Sequence, residues 1–312
     1  MEGKKKLKLK ENELYSERIK LNQNSNKTEY ELPNPINNIS IPKMYYNLKS
    51  ETFKTKEPNN LLSPEIKEDI FKYYNNNKSI DDYDFTEKQR TNFLYERFQK
   101  EQKLNCNILV RDSNFYVYSE TKHFLLSAHK IKKKLRVNYI ISANHENDKK
   151  IAQINSNLFK NEYFLYDKGI SPKKINEESN EELRKYLLQI QFKKENNFKI
   201  GYIFIPKESY IKNKYYNKDK NKKDKLSTFK INDEIILYKT EMPEFDFLKK
   251  YYVYTFSSRV KEKSEHNFRI IDKNSNKILL ECGKISNNSF SMDFSAPFSP
   301  LEAFGICVSY LN

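Results

Sequence analysis

The C-terminal stretch, residues 299–312, constrains this chain more than any other. It opens Ser299-Pro300-Leu301-Glu302, in which Ser can cap a helix, Pro sits where no backbone N–H is needed, and Glu can reach back to the cap. Behind it, Leu301, Ala303, Phe304, Ile306, Cys307, Val308, Tyr310 and Leu311 leave no polar face. A helix apolar all round is buried all round. Something must therefore surround it, and the preceding sequence indicates what. Short runs rich in β-branched and aromatic residues recur at 114–118, 123–128, 137–142, 163–166, 187–192 and 199–205. They continue at 235–238, 251–256, 268–271, 277–281 and 289–294. About ten short strands between polar turns predict a sandwich or barrel, and an apolar helix at the chain end selects the barrel that encloses it. Gly305 inside that helix costs about 1 kcal/mol against Ala, so close approach of another element is expected there.

The first hundred residues have a different texture. Residues 1–60 mix Lys, Asn, Ser and Glu with Pro33, Pro35, Pro42 and Pro58, without a sustained period. That predicts a largely disordered, partly helical extension over 1–105 ahead of a folded domain over 106–312. Ser63-Pro64 opens one short helix carrying Ile66, Ile70 and Phe71. Thr86-x-x-Gln89 is a capping box for a second, through about Leu104, with Leu94 and Phe98 on one face. Docking on the main domain is the expected role of both, with the extension also a candidate contact for a transport complex or cargo protein.

With 57 basic against 42 acidic residues the chain carries +15, which draws it to anionic surfaces: nucleic acid, phospholipid or acidic protein. The extension holds 20 basic against 17 acidic residues, so the excess lies in the domain. The run 130–136 places Lys130, Lys132, Lys133, Lys134 and Arg136 together with no acid, a basic membrane patch in which each Lys contributes about 1 kcal/mol near an anionic leaflet. Further lysine clusters occupy 211–225 and Lys4, Lys5, Lys6, Lys8 and Lys10. No run of 18 apolar residues exists for a transmembrane helix. The start Met1-Glu2-Gly3-Lys4 fits neither a secretory signal nor a myristoylation site. Three cysteines fit reduced thiols in the cytoplasm. Only 5 glycines leave no Gly-rich phosphate loop, and His123, His129, His145 and His266 lack ligand or nucleophile-base spacing. The chain reads as non-enzymatic, with no catalytic residue, metal ligand or cofactor predicted.

Several segments in order resemble the C-terminal domain of the tubby and tubby-like proteins. These are Asn267-Phe268-Arg269-Ile270-Ile271, Cys282-Gly283-Lys284, Phe290-Ser291-Met292-Asp293-Phe294, and Ser299-Pro300-Leu301-Glu302-Ala303-Phe304-Gly305-Ile306. Upstream, Asn138-Tyr139-Ile140-Ile141-Ser142, residues 156–167, Pro243-x-Phe245 and Val253-Tyr254-Thr255-Phe256 fit the same pattern. The resemblance covers about residues 106–312. It implies a mainly β fold, a closed twelve-stranded barrel threaded by its C-terminal helix. It also implies a phosphoinositide-binding adapter, typically for phosphatidylinositol 4,5-bisphosphate, in membrane or ciliary trafficking.

The family's headgroup pocket maps residue by residue onto Asn138, which opens the Asn-Tyr motif, and Arg184 in Leu183-Arg184-Lys185-Tyr186-Leu187. Its Lys-x-Arg pair falls on Gln153 and Asn155, which share one strand face but bring no charge. A hydrogen bond to a charged group contributes about 1.5–3 kcal/mol, so losing two is expected to weaken headgroup binding by roughly 10²–10⁴. A protein scaffold without specific lipid binding is the alternative that Gln153 and Asn155 favour. Nucleic-acid binding ranks last, since no aromatic-basic nucleic-acid motif is present. The implied location is cytoplasmic and peripheral to membranes, with the cilium, flagellum or nucleus as further expectations.

Overall fold

The computed structural model describes residues 62–75, 85–131, 135–171, 184–207, 235–248, 250–272 and 274–312. The expected disorder over 1–60, the lysine cluster from Lys4 to Lys10, the insertion at 211–225, and Lys132, Lys133 and Lys134 lie outside these residues.

Among the described residues two helices come first, α1 (Pro64–Asn75) and α2 (Glu87–Tyr95). The strands follow: β1 (Lys103–Arg111), β2 (Asn114–Ser119), β3 (Phe124–Ile131), β4 (Asn138–Ser142), β5 (Lys150–Ser156), β6 (Glu162–Asp167) and β7 (Tyr186–Glu195). Then come β8 (Phe198–Pro206), β9 (Ile235–Lys239), β10 (Glu244–Asp246), β11 (Tyr251–Val253), β12 (Phe268–Ile271), β13 (Ile278–Ser286) and β14 (Ser289–Ser295), and finally α3 (Pro300–Tyr310).

Twelve strands form one antiparallel sheet in the order β12-β13-β14-β1-β2-β3-β4-β5-β6-β7-β8-β9. Its two edges meet where Thr240 bridges Ile270 and the Glu241 N–H donates to the Arg269 carbonyl at 2.9 Å. The Arg269 guanidinium closes the same seam on the Glu241 carboxylate. Closing the sheet removes the edges that an open sheet would expose. The fold is mainly β, a nearly closed barrel with α3 inside.

The interior explains α3. Ser299 and Glu302 complete both halves of the capping box, at 3.1 and 3.0 Å, and all residues from Pro300 to Tyr310 are buried. A Cβ on Gly305 would stand 3.0 Å from Leu165 Cδ2, which is the close approach its placement predicted. Tyr310 ends the helix stacked on Phe268 at 3.8 Å, with its hydroxyl donating to Thr240 Oγ1 at 2.9 Å.

At the end where α3 begins, α1 and α2 pack into the same core. Ile70, Tyr73, Tyr74, Phe93, Leu94 and Phe98 all belong to the buried cluster that contains Leu301 and Phe304. The Thr86–Gln89 capping box forms, but α2 stops at Tyr95 rather than continuing to Leu104. Glu96 turns extended, the Phe98 ring stacks on Phe294 at 5.0 Å, and the Phe98 N–H donates to the Phe298 carbonyl at 3.1 Å. Leu104 is already inside β1, fully buried opposite Phe294. Core burial of Phe98 and Leu104 outweighs two further helical turns. Arg97 completes the plug with two-pronged contacts to Glu302 at 2.8 and 2.9 Å.

The residues Glu244–Val253 form a separate compact unit. There β10 and β11 pair as a short hairpin with Phe245 opposite Tyr252. The strand expected over 251–256 ends at Val253. Tyr254 instead donates its hydroxyl to the Glu241 carbonyl at 2.9 Å.

Candidate functional site

Alternation along β4, β5 and β6 sends Tyr139, Ile141, Ile154, Tyr163 and Leu165 into the core. The residues between them therefore face outward. Register then sets Asn138 beside Asn155 and Asn155 beside Phe164, while Ile140 neighbours Gln153 and Gln153 neighbours Tyr166. Asn155 and Gln153 lie about 7 Å apart along one strand, and neighbours across strands about 5 Å. Asn138, Gln153 and Asn155 thus share the outer side of β4 and β5, where Gln153 and Asn155 are half-buried and Asn138 is buried.

Arg184 joins this patch from the segment before β7. Its backbone N–H donates to the Ile170 carbonyl at 2.9 Å, and its guanidinium carbon sits 4.1 Å from the centre of the Tyr166 ring. Tyr186 packs on Tyr166 at 4.6 Å, with Phe164 at 6.3 Å from Tyr186, so the cation rests on an aromatic floor beside Gln153. A cation over an aromatic face contributes about 0.5–1 kcal/mol at exposed sites, which favours one placement of a flexible side chain.

Sequence reasoning missed Lys150. Its ammonium donates to Gln153 Oε1 at 3.0 Å. Three residues before Gln153 it has the wrong spacing for the same face of a regular strand, but the β4–β5 register shifts between Ile141 and Ser142. That irregularity is the signal that sequence pattern alone lacks. A positive charge thus stands at the amide that replaces the expected lysine.

The predicted basic patch divides. Lys130 pairs with Tyr139 and Ile131 with Asn138, so alternation places Lys130 on the other side of the sheet from Asn138, exposed at the barrel rim. Arg136 is exposed two residues before Asn138. The remaining members of the run, Lys132, Lys133 and Lys134, lie outside the described residues.

The groups that could carry other chemistry are built into packing. Cys106, Cys282 and Cys307 are free and fully buried, and burial raises the thiols of Cys106 and Cys307 well above their usual range. Such thiols are poor nucleophiles. Burial also lowers His129 and His145, which pack around Tyr116. Among the described residues no cluster of His, Cys, Asp and Glu has metal-binding geometry.

The sequence pattern of the Tub family matches residues 94–312. The chain belongs to the Tub family. Tubby-related protein 2 of Homo sapiens is 29% identical over 219 residues, 64% of this chain and 42% of that protein. Tubby protein homolog 1 of Caenorhabditis briggsae is 26% identical over 288 residues, 80% of this chain and 64% of the relative. Tubby-related protein 3 of Homo sapiens is 26% identical over 247 residues, 70% and 55% respectively. This tubby-like chain spans less than two thirds of each of these relatives. The matched region includes all of the barrel strands and α3, and it begins at Leu94 within α2.

Proposed function

We propose that the chain is a non-enzymatic, tubby-like adapter that binds phosphoinositide at the outer face of β4–β7 and so attaches to anionic membranes. The observation that carries this reading is the convergence of Arg184 over Tyr166 and Lys150 beside Gln153 on the patch that also holds Asn138 and Asn155. Two cations and the half-buried amides of Gln153 and Asn155 on one face suit a polyphosphorylated headgroup: guanidinium and ammonium pair with phosphate, and amides donate to its remaining oxygens. Lys150 offsets part of the charge missing at Gln153 and Asn155. Phosphatidylinositol 4,5-bisphosphate is the expected ligand, bound more weakly than by a site with the full Lys-x-Arg pair. Membrane or ciliary protein trafficking is the role this attachment serves, in a cytoplasmic protein peripheral to membranes. No described helix is long and apolar enough to cross a membrane.

Co-sedimentation of the full chain with vesicles tests the reading. Phosphatidylinositol 4,5-bisphosphate and phosphatidylserine are compared at equal surface charge and physiological salt. Preference for the bisphosphate, lost in Arg184→Ala, is the expected result. Equal binding to both lipids, unmoved by Arg184→Ala, favours the second reading, a protein scaffold without specific lipid binding. The uncharged pair Gln153 and Asn155 is the feature that supports that alternative. A steep salt dependence with DNA and no lipid preference would point to nucleic acid.

A further inference from the structure

One end of the barrel holds apolar side chains out in water on a firm support. The connections after β3 and β5 leave from a single bridge, with the Val137 N–H donating to Ser156 Oγ and the Ser156 N–H to the Val137 carbonyl, both at 2.8 Å. Leu135 stands two residues before that bridge and Leu158 two after it. Leu135 is 68% exposed, Leu158 51% and Phe159 85%.

The β5–β6 tip is built beneath them. Asn157 Oδ1 accepts the N–H groups of Asn161 and Glu162 at 3.1 and 3.3 Å, and its amide donates to Glu162 Oε2 at 3.3 Å. The Asn161 carbonyl accepts the Phe192 N–H at 2.8 Å, which ties the tip to β7. The same barrel end is closed from inside by Asn312, bonded to the Tyr139 and Tyr163 hydroxyls at 3.0 Å each. Phe159 is therefore presented by hydrogen bonds under the turn, and among the described residues it finds no cover on the barrel.

Cations surround these tips. Arg136 and Lys160 are exposed in the two connections, and exposed Lys193 and Lys194 line a shallow depression with Phe192 and Lys199 at the β7–β8 hairpin. Of the acids nearest the tips, two are engaged, while Asp112 and Glu265 at the same barrel end are exposed. Glu162 is buried and bonded by Asn157 and Gln191, and Glu195 pairs with Lys239 at 2.7 Å. Apolar tips with a cationic surround match one partner above others, an anionic bilayer whose interface takes the apolar groups while its phosphates take the cations.

We infer that this end of the barrel is a membrane-penetrating rim. Leu135, Leu158 and Phe159 enter the bilayer interface, and Arg136, Lys160, Lys193 and Lys194 lie at the phosphates. The inference rests on the membrane reading above and adds an orientation: the rim leads, and the outer face of β4–β7 meets a headgroup beside it. Asn155, half-buried at the rim end of β5, is then the first site residue to reach the lipid surface, while Asn138 beside it is buried.

The chain has no Trp, so Phe159→Trp in the full chain supplies a single indole at the tip. On phosphatidylcholine vesicles containing phosphatidylserine, its emission is expected to shift to the blue and to be quenched by lipids brominated high on the acyl chain. The double variant Leu158→Ser, Phe159→Ser is expected to lower partitioning about tenfold or more, since each large apolar group contributes on that scale. Its thermal unfolding should stay unchanged, because both side chains are already exposed. An unshifted, unquenched indole on bound chain, partitioning unmoved by the Ser variant, or no vesicle binding would each overturn the inference. Insertion without bisphosphate preference would sink the headgroup reading and leave the rim standing. Bisphosphate preference that Arg184→Ala abolishes, without insertion, would do the reverse.

Discussion

The two ends of the barrel solve opposite problems. Where α3 enters, the mouth is stopped with aromatic and aliphatic groups: Phe93, Leu94 and Phe98 are buried against Phe294 and Phe298, and Arg97 holds Glu302. Where α3 leaves, the interior is closed by polar clasps on Tyr139, Tyr163 and Tyr310, while Leu135, Leu158 and Phe159 face solvent. Apolar residues at the first end stabilise the fold. At the second, Leu135, Leu158 and Phe159 bury little surface in the fold, and the proposed membrane contact gives them a partner. A hydrophobic side chain is informative about function only once its burial is known.

The largest expected effect comes from cutting away the plug. A chain beginning at Cys106 loses α1, α2, Phe98 and Leu104, and it should lose its cooperative melting transition. A chain beginning at residue 62 should keep it. Equal melting of the two would dissolve the distinction between the ends. Next, Phe98→Ala is expected to cost about 3–5 kcal/mol in urea denaturation, as for a buried aromatic. Phe159→Ala should stay within about 0.5 kcal/mol, as for an exposed position. A cost for Phe159→Ala near that of Phe98→Ala would break the comparison.

The plugged end also carries a titrating group. Asp293, opposite Asn105 of β1, has its carboxyl pushed up to about 6 by burial, with Arg259 at 3.3 Å opposing the shift. Its folded value lies above its unfolded value near 3.8, so the folded chain binds the extra proton between them. Stability should therefore fall as pH rises from about 4 to about 6 and level off above, by at most about 3 kcal/mol. Asp293→Asn should flatten that slope in pH-dependent denaturation. An unchanged slope would remove Asp293 from the account. The clasped end offers a further substitution. A Cβ on Gly201 would run into the Tyr310 hydroxyl, so Gly201→Ala should cost about 1–3 kcal/mol through the displaced Tyr310. A neutral Gly201→Ala would mean that the Tyr310–Thr240 clasp is dispensable.

The barrel was legible because one segment left no choice: α3 has no polar face, and Ser299, Pro300 and Glu302 mark its start. Composition overlooked β1 and β5, since Lys103, Asn105 and Asn107 alternate outward in β1, and Lys150, Gln153 and Asn155 interrupt the apolar run of β5, diluting the β-branched signal. The end of α2 was misread because Phe98 and Leu104 continue a plausible apolar pattern, yet both are claimed by tertiary contacts with Phe294. Motif matching proposed Asn138, Gln153, Asn155 and Arg184; strand register sets the first three on one side of β4 and β5, and the Tyr166 ring holds Arg184 beside Gln153. Lys150 was invisible, because a strand irregularity and a side-chain hydrogen bond place it there. Lys130 was grouped with Asn138 by sequence proximity, which says nothing about the side of a sheet.

The most direct test of the headgroup face dispenses with vesicles, so the rim has no part in the result. Inositol 1,4,5-trisphosphate, the soluble headgroup, is titrated calorimetrically into the full chain and into Arg184→Ala and Lys150→Ala. Binding weakened about tenfold or more in each variant is the predicted result, since each removes one charge-assisted contact. Absence of binding, or an affinity that neither substitution changes, would contradict the assignment of the β4–β7 face.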